Sequence, residues 1–306
     1  YAYYTDSVGD GNLQQFPTVS PRRGFGLNMA MVSARYDGKK YRGVIALQYG
    51  DIPQSAWSPE FNNILEAHAG LRLCSKLWVD AGFFRTHFGT EALYPKENLA
   101  SSITVDTWHE PYFESGMRLD YALTDKLTID LYVLSGYNIY VDNNAKKSVG
   151  LLATYALGDH GNIGYSNYIG DDTPTEADSI SHLRFENNLF LNYTLKKLTI
   201  QAGVDYCTQQ NSNLSLVAGV SGAAYSALLT LKYACTKRFA VVAREEWFDD
   251  PEGFLDGVRI DTDGDATGLN LTGTTIGAEY KPTPDSYLRL EGRQLITDPD
   301  QEIFRW

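Results

Sequence analysis

Five histidines, His68, His87, His109, His160 and His182, are the residues of this 306-residue chain best suited to a general base. A serine hydrolase needs Ser and His in hydrogen-bond reach with an acid or amide to orient the ring. No GxSxG stretch occurs, and "GYSNY" at 164–168 does not fit that turn. The histidines therefore read as wall and loop residues, no catalytic residue is expected, and a lipid hydrolase is the least favoured function. Glu66 and Glu114, with Asp80 and Asp130, are carboxylates that a glycosidase could pair, but a chain with 38 acids brings some pair together by chance. "DTDGDATG" sets Asp261, Asp263 and Asp265 at the spacing that opens a calcium loop. Gly264 precedes the third aspartate, however, and position 272 is threonine where a closing glutamate is needed. These three aspartates are at most a weak calcium site; no other metal and no cofactor are expected. Cys74, Cys207 and Cys235 are far apart, and their odd number argues against a disulfide framework.

A better signal is arginine set with carboxylates at even spacing. "ILEAHAGLRLC" (64–74) places Glu66, His68 and Arg72 on one side of a strand and Leu65, Ala67, Ala69, Leu71 and Leu73 on the other. The same alternation puts Glu114, Arg118 and Asp120 together, then Arg184 with Glu186, Arg244 with Glu246, and Arg289 with Glu291 and Arg293. Arg42, Asp80, Asp130, Asp205 and Glu279 occupy equivalent positions in their own segments. Arginine paired with carboxylate suits a confined, half-dry surface, where bidentate geometry helps.

The elements that carry these residues are alternating segments from end to end. After 1–5, strands are expected over 24–36, 40–50, 62–74, 77–87, 111–123, 126–139, 148–157, 161–170, 182–194, 197–208, 219–234, 237–248, 270–281 and 286–296. Most exceed the usual strand length of about 5–6 residues. Tight connections ("DGKK", "SK", "TDK", "GDHG", "LKK", "CTK", "PTPDS") alternate with long ones (6–23, 51–61, 88–110, 140–147, 171–181, 209–218, 249–269). Lysines collect at the tight turns. Aromatic residues collect at the ends of the aliphatic sets, as with Tyr121, Tyr137, Tyr206, Tyr233 and Trp247. Short turns at one end, long loops at the other and aromatic girdles describe a membrane barrel rather than a Greek-key sandwich.

The chain is thus read as all-β: a single domain over 1–306, a transmembrane antiparallel up-and-down β-barrel of about 16 strands in a bacterial outer membrane. About fifteen strands can be counted, so a closing strand beyond Trp306 is expected, because an even number leaves no open edge. The apolar sets, Leu65 included, face outer-membrane lipid, and the arginines and acids line the lumen. With a net charge of -12 and a pI near 4.8, nucleic acid is not an expected partner. No run of about 18 apolar residues exists, which excludes a spanning helix but not spanning strands.

"YAYYTD", "EAHAGLRLCSKLWVDAGFFRTHFGTEAL" (66–93), "EPYFESGMRLDYALTDKLTIDLYVLSGYN" (110–138) and "EGRQLITDPDQEIFRW" resemble the OmpL-like outer-membrane β-barrel porin family of Gram-negative bacteria. The similarity extends over most of the chain and is strongest in 61–138. It implies a porin and carries no catalytic motif.

The expected function is passive diffusion of small polar solutes, with mild cation preference because acids outnumber the arginines. A non-conducting binding or scaffold barrel using its outer loops is the alternative. The connection 88–110 carries Leu93, Tyr94, Leu99, Ile103, Val105 and Trp108, too apolar for a loop left in water. It is expected to fold into the barrel as a constriction, presenting Tyr94, Lys96, Glu97, Asp106, Trp108 and His109, with a helical turn over "PKENLASS" begun by Pro95. The solute and the oligomeric state are not legible in the sequence.

Overall fold

The computed structural model describes residues 3, 7–8, 13–14, 24–174, 180–215 and 217–297. Fourteen strands form one antiparallel sheet in which neighbours in space are neighbours in sequence. They are β1 (Ala30–Asp37), β2 (Tyr41–Tyr49), β3 (Ile64–Cys74), β4 (Leu77–Arg85), β5 (Phe113–Ala122), β6 (Leu127–Leu134) and β7 (Ser148–Ala156). They continue as β8 (Gly161–Gly170), β9 (Arg184–Leu195), β10 (Leu198–Gln209), β11 (Gly222–Ala234), β12 (Phe239–Asp250), β13 (Leu269–Tyr280) and β14 (Leu288–Thr297). Each of the fourteen segments expected between 24 and 296 corresponds to one of these strands. The expected strand at 1–5, most of the connection 6–23 and the stretch after 297 lie outside the described residues. Two short helices, α1 (Asp51–Ala56) and α2 (Val105–His109), sit in long connections. At "PKENLASS" one turn forms behind Pro95, the Glu97 amide donating to the Tyr94 carbonyl at 2.9 Å, but no helix follows; the helix of that connection is α2.

Two compact units divide the chain: 1–88 with 110–155 and 165–186, and 89–109 with 156–164 and 187–306. In the first, Ile45, Leu71, Met117, Leu131 and Val149 are exposed, whereas Asp80 and Glu114 are buried. A soluble sheet buries the leucines and wets the carboxylates; the reversed pattern fits a sheet whose apolar side meets lipid. The second unit repeats it: Leu229, Leu231, Val241 and Ile276 are exposed, and Arg244 is 1% exposed.

Two apolar assignments need correction. Ala46 pairs with Glu66 but Leu47 pairs with Ile64, so Leu65 is the extra residue of a bulge. It is fully buried, not lipid-facing. Aromatic residues of the adjoining connections cover this end of the sheet: Tyr140 stacks on Phe83 at 4.2 Å and Trp57 on Phe113 at 5.3 Å, while Tyr140 Oη donates to the Leu65 carbonyl at 3.1 Å. Tyr137 also leaves the girdle. β6 ends at Leu134, and Tyr137 packs edge-on against the buried Tyr168 at 5.3 Å. Tyr121, Tyr206, Tyr233 and Trp247 are exposed at or near strand ends, as expected.

Leu65→Ala is expected to destabilise the folded protein by about 2–5 kcal/mol, the cost of a buried leucine cavity. Leu71→Ala, on the exposed face, is expected to cost less than half as much. Urea unfolding in detergent micelles, followed by tryptophan fluorescence, compares the two.

Candidate functional site

The charged side of the first unit is a ladder of ion pairs across adjacent strands. Arg42 Nε donates to Asp80 Oδ1 at 2.7 Å, and its Nη2 lies 2.8 Å from Asp120 Oδ2. Arg118 Nη2 donates to Asp80 Oδ2 at 3.1 Å, so Asp80 is clamped by two guanidinium groups. Asp130 stands opposite Asp120 in register. Arg42 also lies over the Trp78 ring at 4.6 Å. Gly70 makes room for this cluster: a Cβ there would collide with Asp80 Oδ1. Further along the same side, Arg85 Nε is 2.8 Å from Glu66 Oε1, with His68 Nε2 3.4 Å from Glu66 Oε2. Arg72 is exposed and turns back to the tight connection, donating to the Ser75 carbonyl at 2.5 Å. Arg184 stacks over Tyr137 at 4.7 Å, and Glu186 is buried.

His87 has both ring nitrogens engaged, Nδ1 with Glu114 Oε1 at 2.7 Å and Nε2 with the Asn167 carbonyl at 2.8 Å. Burial works against its charged form, but the Glu114 carboxylate outweighs it and raises the pKa. No ring nitrogen is left to activate a serine.

In the second unit the charged side receives residues 89–109 of the same unit. Arg244, fully buried, donates from Nη1 to Glu91 Oε1 at 3.0 Å and to the Ser102 carbonyl at 2.6 Å, and from Nη2 to Ser102 Oγ at 3.0 Å and Thr275 Oγ1 at 3.2 Å. Glu246 accepts from the Val105 amide at 2.9 Å and from Arg293 Nη2 at 2.6 Å. Glu91 accepts the Thr104 amide at 2.7 Å, so two carboxylates satisfy the otherwise unpaired amides where α2 begins. Glu291 accepts the Ser102 amide and hydroxyl, each at 3.0 Å. Arg289 donates to the carbonyls of Pro95 (2.6 Å), Ala100 (2.9 Å) and Asn98 (2.9 Å) and to Glu279 Oε2 (2.8 Å); Glu279 also holds Lys232.

These contacts explain why 95–102 is not helical. Carbonyls that would accept helical amides point at Arg289, and the Asn98 side chain pairs with both backbone groups of Ala92. At the start of the segment, Thr90 takes hydrogen bonds from Asn188 (2.9 Å) and Gln201 (3.0 Å) and lies over Gly203, where a Cβ would collide with Thr90 Oγ1. Glycine within a strand, a weak strand former, was the one sequence signal for this close approach.

The expected constriction residues divide by exposure. Tyr94 is buried, Lys96 and Glu97 are exposed, and Asp106, Trp108 and His109 are half-buried. His109 Nε2 is 3.1 Å from Asp256 Oδ1, and its ring stacks on Phe248. Burial pushes the Asp106 carboxyl up to about 6, against its contacts with the Ser226 and Asp205 side chains and the charge of His109, with Glu246 adding to the rise. Asp205 is itself held by Asn188 at 2.7 Å and Ser226 at 3.2 Å. In the acidic connection, Asp261 Oδ1 accepts the amides of Asp263 (3.0 Å) and Asp265 (2.8 Å), closing a local turn with the carboxylate that calcium would need.

The family described as "Putative beta-barrel porin-2, OmpL-like" matches residues 1–305. No match is found among curated proteins. Among solved structures, OmpF of Salmonella typhi in complex with daunomycin is similar at TM-score 0.59 and 13% identity, over 89% of this chain and 84% of that one. An anion-selective porin from Comamonas acidovorans gives 0.58 and 11%, over 88% and 79%. OmpT, an outer membrane protein of Vibrio cholerae, gives 0.52 and 12%, over 88% and 79%. At these identities the likeness is one of fold.

Arg244→Ala leaves Glu91 and Glu246 buried without their shared cation, a change that costs about 3–5 kcal/mol when one partner of a buried pair is removed. The expected outcome is undocking of 89–109 with the strands intact. Limited proteolysis should then cut within 92–103 in the variant and spare the parent protein, and strand content by circular dichroism should not change.

Proposed function

Since the chain belongs to the OmpL-like family of outer-membrane β-barrel porins, we propose that it is a passive channel for small polar solutes, narrowed by residues 89–109. The observation that carries this reading is the docking of that segment on the charged side of the sheet through Arg244, Arg289 and Glu291. In a barrel of this class the charged side is the lumen wall and the exposed aliphatic side meets lipid. A segment held on the lumen wall by buried ion pairs takes up cross-section that solute would otherwise use. Filtering then depends on the width left and on the charge that faces it.

The charge is acidic. The wall arginines Arg42, Arg118, Arg244, Arg289 and Arg293 are each bound to carboxylates. Asp106 beside Asp205 and the exposed Glu97 add negative charge near the passage, and the chain carries -12 overall. Mild cation preference is the consequence. The protein is read as a channel without enzymatic activity, a reading supported by the engaged ring nitrogens of His87.

Deleting Glu91–Thr107 is expected to raise single-channel conductance in planar bilayers, in a protein that still migrates differently on gels with and without boiling. Unchanged conductance in a folded deletion variant would remove the constriction. An absence of conductance in both proteins, with no sugar-driven swelling of proteoliposomes, would favour a binding or scaffold barrel. Glu97→Gln combined with Asp106→Asn is expected to reduce cation preference, read as a smaller reversal potential in a salt gradient.

Docking should also respond to pH. The Asp106 pKa in the folded protein is raised from 3.8 to about 6, so its contribution is fully present below the unfolded value and is lost as pH rises through about 6. Protease protection of 89–109 is expected to be greater at pH 5 than at pH 7.5, and Asp106→Asn should flatten that difference.

A further inference from the structure

The tight turns of the second unit carry a row of cations beside exposed aromatic rings. The β9–β10 turn presents Lys196 and Lys197, the β11–β12 turn Lys237 and Arg238, and the β13–β14 turn Lys281, all exposed. The Ala234 amide donates to the Lys197 carbonyl and the Lys281 amide to the Arg238 carbonyl, each at 2.8 Å, so the three turns stand side by side at one end of the sheet. Thr236 Oγ1 accepts the amides of Arg238 (3.2 Å) and Phe239 (3.0 Å), which fixes the middle turn. Lys281 Nζ lies 3.7 Å from Glu279 Oε1. Among the described residues, no carboxylate is within ion-pair distance of Lys196, Lys197, Lys237 or Arg238. By contrast, Lys232 holds Glu279, and in the connection 140–147 Lys146 and Lys147 hold Asp171 and Asp142. The tight turns of this unit supply only Asp159 and Asp285 as acids, whereas 249–269, at the opposite end of β12 and β13, carries seven acids and one arginine.

Each of these turns adjoins apolar groups of the outward side. Leu195 directly precedes Lys196, Phe239 directly follows Arg238, Tyr280 directly precedes Lys281, and Tyr233 stands four residues before Lys237. All four are exposed. Aromatic rings at strand ends sit at the level of the lipid headgroups, and lysine and arginine reach that level with their long side chains. Like charges on neighbouring strands repel, and a phosphate between them replaces that repulsion with charge-assisted hydrogen bonds. An occupant that matches this end is anionic where it meets the turns and apolar where it meets the rings; a free inorganic anion satisfies only the first condition. We propose that this end of the second unit binds an anionic phospholipid, its phosphate held by Lys196, Lys197, Lys237 and Arg238 and its acyl chains lying over Tyr233, Phe239 and Tyr280. Cations at a membrane surface attract anionic lipid within about a Debye length, whereas a zwitterionic headgroup brings an ammonium of its own. This inference rests on the outer-membrane location and on which side of the sheet meets lipid, not on conduction.

The test mixes the full chain in detergent micelles with equal amounts of phosphatidylglycerol and phosphatidylcholine and reads the retained lipid by native mass spectrometry. Phosphatidylglycerol should be retained over phosphatidylcholine by about tenfold, and less so as salt is raised. Lys196→Gln, Lys197→Gln, Lys237→Gln and Arg238→Gln together should abolish the preference, with heat-modifiable migration as proof of folding. The two double variants, Lys196→Gln with Lys197→Gln and Lys237→Gln with Arg238→Gln, should each lose part of it, and they decide the matter if the quadruple variant does not fold. Lys196→Arg with Lys197→Arg and Lys237→Arg, which keeps the charge, should keep the preference. So should Lys146→Gln with Lys147→Gln, at the other end of the strands. Equal retention of the two lipids by the parent would overturn the proposal, as would a preference that survives in the folded glutamine variants or is lost as fully in the Lys146 and Lys147 control. Displacement of phosphatidylglycerol by inorganic phosphate at the lipid's own concentration would assign the cations to a free anion and overturn it too.

Discussion

Arg244 is the interaction on which the second unit is arranged. Its guanidinium is fully buried and cannot shed its charge, so everything around it must compensate. Two carboxylates do so, Glu91 from the connection and Glu246 from its own strand. Both also accept backbone amides at the start of α2. The cation therefore fixes the carboxylates, the carboxylates fix the helix start, and the helix start places Asp106 and His109. Lysine at 244 would lack the planar fork that reaches Glu91, Ser102 and Thr275 together.

Much of the fold is legible from period-two alternation. A spanning strand has unlike surroundings on its two sides and is long enough to cross an apolar band, so each repeats the same signal. The exceptions arise where a strand leaves the band. Leu65 obeys the alternation in sequence, yet a bulge and the cover of Tyr140 take it out of lipid, and neither is a local property of "ILEAHAG". Tyr137 sits at girdle distance from Val133, but the chain has already turned and the ring follows the Tyr168 packing instead.

The candidate site was legible in composition and not in geometry. The apolar content of 88–110 indicates a segment that is not left in water. Its anchors, Arg244, Arg289 and Glu291, are each more than 130 residues away in sequence and show only as alternating charges on their strands. "PKENLASS" keeps the turn begun by Pro95 but does not continue into a helix, because Arg289 takes its carbonyls and Asn98 takes the backbone of Ala92. Strand glycines hold the remaining information. Gly70 and Gly203 mark where a charged pair or a connection lies against the backbone, yet in a sequence they resemble ordinary breaks.

The two units satisfy the charges on the buried side of their strands differently. In the first, Arg42 and Arg118 are compensated by side chains of neighbouring strands, Asp80 and Asp120, so the ladder is complete within the sheet. In the second, Arg244 and Arg289 spend most of their donors on the carbonyls and side chains of 89–109, and Glu291 and Glu246 accept its amides. An arrangement of the first kind keeps its charges balanced whatever the connections do. An arrangement of the second kind is balanced only while the segment is docked, and on undocking it exposes cations and anions that must be hydrated. That hydration would lower the cost of undocking, because the charges would exchange protein partners for water rather than for nothing. The same exchange limits how firmly the segment is held, despite the number of hydrogen bonds it makes.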